Sequence, residues 1–166
     1  MTSNALGGLR IQAIPLGTMR RLRSQGYDDH GHPWVRRVDR EGGAPLRCCL
    51  RDSLAGEGIV LISYAPVRAA VTVDAGAYDE VGPVFVHEDP CDGYVDQGRY
   101  PTDWARVRPQ VLRAYRADGS IADGVRVTPG DDYDAAAREL LSDTDIAFLH
   151  ARNVIFGCYM LEILRA

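Results

Sequence analysis

Ile146-Ala147-Phe148-Leu149-His150-Ala151-Arg152-Asn153-Val154-Ile155-Phe156-Gly157-Cys158-Tyr159-Met160-Leu161-Glu162-Ile163-Leu164 is the longest apolar-rich stretch in the sequence, and the way it divides into strands sets the architecture. Residues 146–149 and 154–164 have the apolar content of closing strands. One strand through the whole stretch would far exceed the usual ~5–6 residues, so a break is expected near Asn153 or Gly157. Just upstream, Asp131 and Asp132 precede an Ala- and Leu-rich run, which predicts a helix over Tyr133–Leu141 with acidic residues where the helix dipole favours them. Further upstream, 111–115 and 125–127 flank Asp118-Gly119, a hairpin signal with a longer loop. Residues 101–108 suggest one or two helical turns capped by Thr102.

The N-terminal half follows the same grammar. Residues 9–13 alternate apolar and polar, as a half-buried strand does. Leu16, Met19 and Leu22 recur at helical spacing and Gly26 is a stop, so Leu16–Gln25 reads as a helix. Residues 27–33 form a loop, 34–38 a short strand, and 46–50 a strand or its end. Residues 52–58 form a turn. The continuous apolar run 59–64 suits a central strand. Residues 71–82 are a polar connection and 84–87 another short strand. Seven or eight strands with two or three helices, not regularly interleaved, predict an α+β fold with a mostly antiparallel sheet, as a single domain over 1–166. A doubly wound parallel sheet is disfavoured.

Composition sets the outer limits. The 166 residues are 46% hydrophobic and 25% charged, values typical of a globular chain. A chain of this length buries enough surface to fold without a metal or disulfide staple. The formal charge is −4, so the surface does not attract phosphate backbones in bulk, and no nucleic-acid partner is expected. Every basic residue is Arg, which we read as the codon usage of a GC-rich, hence bacterial, genome. No apolar run reaches the ~20 residues of a membrane helix, and no membrane partner is expected. Residues 1–10 lack a secretory core. Four cysteines without such a signal point to the cytoplasm and free thiols. Self-association leaves no signature in the sequence.

Three segments concentrate reactive side chains. In Gly42-Gly43-Ala44-Pro45-Leu46-Arg47-Cys48-Cys49-Leu50-Arg51-Asp52, a guanidinium stands beside two thiols, and a nearby cation favours the thiolate. Neighbouring residues on a strand point to opposite faces, so Cys48 and Cys49 are not expected to share one site. In Gly82-Pro83-Val84-Phe85-Val86-His87-Glu88-Asp89-Pro90-Cys91, Asp89 could orient His87, and His87 could serve Cys91 as a base. In residues 150–159, Arg152 offers a fork for carboxylate or phosphate, and Asn153 both donates and accepts. Each segment also has a plain structural reading: thiols as small core hydrophobes, a strand end with a turn-forming Asp-Pro, a sheet-edge ion pair.

The same three segments, in the same order, resemble the bacterial family called domain of unknown function 1203. The resemblance implies a single small domain and carries no activity. It places Arg47, Cys48, His87, Asp89, Cys91, Arg152, Asn153 and Cys158 at the family's hallmark positions, and leaves out His30 and His32.

Three functional readings follow. The first is an enzyme with Cys91 or Cys48 as nucleophile or redox thiol, His87 as base and Asp89 as orienter; Arg47, Arg152 and Asn153 would hold a small anionic metabolite. The second is a non-catalytic binding domain for a small carboxylate or phosphate. The third is a metal protein using Cys48 or Cys49, His87, Cys91 and Cys158, although no Cys-x-x-Cys pair is present. No cofactor motif appears: phosphate loop, dinucleotide fingerprint and nucleophile elbow are all missing, and a chain without Lys forms no Schiff base.

Overall fold

The computed structural model describes residues 8–101, 103–105 and 107–166. In chain order the elements are β1 (Leu9–Gln12), α1 (Leu16–Gln25), β2 (Arg36–Asp39), β3 (Pro45–Leu46), β4 (Arg51–Asp52), β5 (Glu57–Tyr64) and α2 (Pro66–Ala70). A single 3₁₀ turn, Gly76–Tyr78, leads to β6 (Gly82–His87), β7 (Gln110–Tyr115), β8 (Ile121–Val127), α3 (Tyr133–Leu141), β9 (Phe148–Asn153) and β10 (Tyr159–Arg165).

The strands form two five-stranded sheets. The first runs β1-β10-β9-β7-β8 and is antiparallel throughout. The closing stretch breaks as its length requires. β9 ends at Asn153, whose Oδ1 accepts from the Ile155 and Phe156 amides at 2.8 and 3.1 Å. Gly157, at φ 71°, then turns the chain into β10. Every residue of β9 is buried, as expected of an interior strand covered on both faces. Leu112, Ala114, Leu149, Ala151, Leu161 and Ile163 of this sheet pack with Tyr133, Ala137 and Leu141 of α3. α3 starts where the acidic pair predicts, with Asp132 accepting from the Ala135 amide at 3.0 Å. Arg165 donates to the carbonyls of Leu141, Asp143 and Ile146, which fastens the helix end to β10.

The second sheet runs β2-β5-β6-β3-β4 and is antiparallel except where β3 meets β6. β5 is flanked by β2 and β6, the interior place its apolar run called for. Met19 and Leu22 from α1 join Val60, Ile62, Val84 and Val86 in a second core, to which β10 contributes Tyr159. Tyr64 and Tyr159, with rings 5.4 Å apart, link the two sheets.

The α+β, mostly antiparallel expectation fits in outline, but the strands divide between two sheets where one was expected, and strand content is higher than anticipated. Three details differ. β3 and β4 are two-residue strands with no periodicity to read. α2 follows Tyr64 directly; Pro66 opens it, and five residues leave little pattern. The expected helical turns over 101–108 appear as non-helical turns at 103–105, and the Thr102 cap lies outside the described residues. Among the described residues no helix is long and apolar enough to cross a membrane.

Candidate functional site

The site is built on the connection between β3 and β4, the turn Arg47-Cys48-Cys49-Leu50. The Leu50 amide donates to the Leu46 carbonyl at 2.9 Å, which closes the turn tightly. Leu50 is the one non-glycine with positive φ among the described residues, at 57°. That conformation is costly for a side chain with a Cβ, and burial of Leu50 in the first core offsets it. The turn corrects one expectation. Strand alternation stops at Leu46, so Cys48 and Cys49 do not diverge. Both sulfurs approach the Nδ1 atom of His87, at 3.3 and 3.6 Å. The His87 amide also donates to Cys48 Sγ at 3.2 Å.

Cys91 is brought in by the chain leaving β6. Arg23 on α1 reaches the carbonyls of His87, Glu88 and Asp89 at 3.2, 3.3 and 3.0 Å, which holds this segment against the helix. As a result one donor atom each from Cys48, Cys49, His87 and Cys91 lie within 4.8 Å of one another.

The far side of the imidazole meets a carboxylate other than the one anticipated. Glu57 Oε1 lies 2.8 Å from His87 Nε2. Asp89 is exposed, and its contact with Arg23 is through its backbone carbonyl. The orienting group therefore comes from β5. The β5–β6 register pairs Ile59 with His87 and sets Glu57 beyond the end of β6. Arg51 grips the same carboxylate, Nη2 to Oε1 at 2.6 Å and Nη1 to Oε2 at 3.0 Å. That pairing comes first among the causes that hold Glu57 down to about 2, so it is ionised at neutral pH. An ionised carboxylate only accepts, so the imidazole hydrogen sits on Nε2. Arg51 Nη2, 2.8 Å from Nε2, is then a second donor converging on the same oxygen. In the neutral imidazole this leaves the Nδ1 lone pair facing the sulfurs.

Without a metal, the cluster divides its protons unevenly. Contacts with the Cys49 and Cys91 sulfurs raise His87 to about 10, against the opposing effect of burial. Hydrogen bonds from Cys48, Cys49 and His87 pull Cys91 far down, towards the thiolate. Contacts with Cys49 and Cys91, together with burial, push Cys48 up. Cys48 is thus poorly suited to act as a nucleophile. The guanidinium beside it in sequence, Arg47, is directed elsewhere, onto the Tyr159 and Pro45 carbonyls.

The anion-binding candidates gather in a different place. Arg47, Asn153 and Cys158 line a cavity of about 480 Å³, together with Arg108, Phe85 and Phe156. Arg152 lines a smaller adjoining hollow of about 160 Å³, which shares Pro83, Phe156 and Cys158 with the first. Its Nη2 lies 3.0 Å from Glu80 and its Nη1 donates to the Gly157 carbonyl. Neither hollow has a member of the Cys/His cluster in its wall. Cys158, expected among the metal ligands, is outside the cluster; its sulfur contacts the Phe156 carbonyl at 3.6 Å. The three reactive segments therefore meet in two sites. His30 and His32 are exposed on the loop around Asp28 and belong to neither.

Glu57 and Arg51 are the site residues that motif reading missed. Arg51 lies in the first quoted segment, and Glu57 could have been found by pairing the two apolar strands in register.

No curated protein and no solved structure matches the chain. One family model does, described as Protein of unknown function (DUF1203), over residues 43–165. That span takes in both sites and all four cysteines, along with every sheet strand except β1 and β2. By this match the chain belongs to the DUF1203 family.

Proposed function

We propose that this protein binds one zinc ion through the thiolates of Cys48, Cys49 and Cys91 and the Nδ1 atom of His87. One observation carries the reading: three sulfurs and one ring nitrogen converge within 4.8 Å, and a carboxylate on the far side selects the tautomer that turns a lone pair towards the sulfurs. Tetrahedral zinc with three sulfur ligands and one nitrogen needs donor separations of roughly 3.5–3.8 Å from its ~2.0–2.3 Å bonds. The Nδ1–sulfur distances of 3.3 and 3.6 Å already lie close to that. The Glu57–His87 pair is the outer-shell support that zinc-bound imidazoles commonly have. A base–nucleophile couple needs only one sulfur, whereas here three gather.

Four protein ligands close the coordination shell, which favours a structural role over a catalytic one. The ion would tie the 47–50 turn, the end of β6 and the Cys91 segment together. The hydrophobic cores can hold the sheets without it; the zinc organises the connections between them.

The test is metal analysis of protein purified without chelator or histidine tag. About one zinc per chain is expected, falling to near zero in Cys91→Ser and Cys49→Ser. Metal-free protein from zinc-replete cells that also fails to take up zinc afterwards would overturn the reading. The enzyme reading then becomes the stronger one, because the depressed Cys91 thiol beside His87 is a nucleophile in waiting. It predicts rapid alkylation of Cys91 below the ~8.5 midpoint of an ordinary thiol in protein as purified. The zinc reading predicts that Cys91 resists alkylation until a chelator is added.

A further inference from the structure

Arg47 is a buried cation without a buried anion. It is 5% exposed. Its Nε donates to the Tyr159 carbonyl at 2.8 Å and its Nη1 to the Pro45 carbonyl, both neutral acceptors. No carboxylate among the described residues forms an ion pair with it, although eight other Arg residues have acidic partners. Burying a guanidinium without a counter-charge is expensive. A guanidinium is not deprotonated in proteins, so the charge stays on it.

The space beside Arg47 has the character of a ligand site. The cavity of about 480 Å³ lies within the range of small-molecule pockets. Leu61, Val84, Phe85, Phe156 and Met160 give it an apolar wall. Its polar groups are few. Arg108 is already paired with Asp52 at 3.1 Å. Asn153 spends Oδ1 on the 153–157 turn, which leaves its amide NH₂ as a donor. Phe156 is 78% exposed, a large aromatic surface on the cavity wall with no protein covering it. One uncompensated positive charge and one amide donor, set in apolar walls, match one negative charge on an apolar body.

We infer that this cavity binds a small amphipathic monocarboxylate, its carboxylate at Arg47 and Asn153 and its hydrocarbon part along Leu61, Phe85, Met160 and Phe156. A dianionic phosphate ester fits less well, because Arg108 is already paired with Asp52 and Arg152 lines the adjoining hollow rather than this cavity. The site is separate from the Cys/His cluster and stands whether or not that cluster holds zinc.

The experiment uses calorimetric titration of the full-length protein as purified, with octanoate, 1-octanol and octyl phosphate as probes. Octanoate should bind saturably at one site per chain, and octanol at least ~10-fold more weakly, since a charge-assisted pair is what it lacks. Arg47→Gln should reduce octanoate to the level of octanol. Should that variant fold poorly, Phe156→Asp keeps the test sharp: it changes an exposed residue and sets a like charge at the cavity, so octanoate should again weaken ~10-fold while octanol changes less. Failure of octanoate to saturate by millimolar concentration, or equal binding of octanoate and octanol, would overturn the inference. Tighter binding of octyl phosphate than octanoate would overturn the monocarboxylate assignment.

Discussion

Zinc binding to this cluster must expel protons, and the metal-free arrangement says how many. Cys48 is protonated at neutral pH because its contacts and burial push its pKa up. His87 is protonated because its contacts with sulfur raise it to about 10. Cys91 is drawn towards the thiolate because it accepts hydrogen bonds from its neighbours. Coordination requires the thiolate form of Cys48 and a bare Nδ1 on His87, so at least these two protons leave. Linkage fixes the sign: the groups that lose protons are those raised in the metal-free fold, so affinity climbs with pH across neutrality, and the slope falls by one proton as pH passes the His87 value near 10. Two protons correspond to ~100-fold tighter apparent binding per pH unit, or ~2.7 kcal/mol. Titrating zinc calorimetrically at one pH, in buffers of different ionisation enthalpy, counts the protons directly. A value of two or more at pH ~7 agrees with the cluster as described. A value below one would refute the protonation pattern, and with it the claim that these four side chains are the ligands.

Glu57→Gln removes the anion that holds the His87 tautomer, and a lost outer-shell partner of this kind costs ~10–100-fold in metal affinity; competition with a chromophoric chelator reads it, and an unchanged affinity would remove Glu57 from the site. Asp89→Ala should change zinc affinity by less than ~2-fold, because Asp89 is exposed and only its carbonyl is used; a loss like that of Glu57→Gln would restore it as the orienter. Asp28 accepts from the amides of His30, His32 and Ser63 at 3.0, 2.9 and 2.8 Å. Burial raises its pKa, but these amides and His32 outweigh that and leave it lowered. Its contribution is therefore present above the ordinary carboxylate range and is lost as pH falls through the depressed value. Asp28→Ala should destabilise by about 2–4 kcal/mol in denaturant unfolding at neutral pH, since it strands several donors at once, and the difference from wild type should shrink on acidification.

The fold was legible where a pattern repeats often enough to carry a signal. α1 and α3 combine apolar periodicity with a stop or a cap, and their limits, Leu16–Gln25 and Tyr133–Leu141, coincide with those read from sequence. β5 showed itself as a continuous apolar run because Val60, Ile62 and Tyr64 pack into the second core while Leu61, between them, lines the apolar cavity. The break between β9 and β10 followed from length alone. What stayed hidden was short or non-local. Two-residue strands have no period, and the division into two sheets depends on β10 pairing with both β1 and β9, across most of the chain.

The site was half legible for a physical reason that Arg47 and Cys48 make plain. Side-chain direction can be read from sequence only while the backbone keeps one geometry. Applied through residue 49, strand alternation separates Cys48 from Cys49 and leaves a nucleophile on each face. The chain instead leaves the strand after Leu46, and closure of the turn by the Leu50 amide swings both sulfurs to His87. The same turn sends Arg47, one residue earlier, to the Tyr159 carbonyl and the apolar cavity. Residues adjacent in sequence thus serve different sites, while Glu57, thirty positions before His87, touches its ring. The segment was chemically dense enough to find, but its allegiances depend on a positive φ at Leu50 that only burial in the core makes affordable. Local chemistry nominates the residues here; packing at one leucine decides which of them act together.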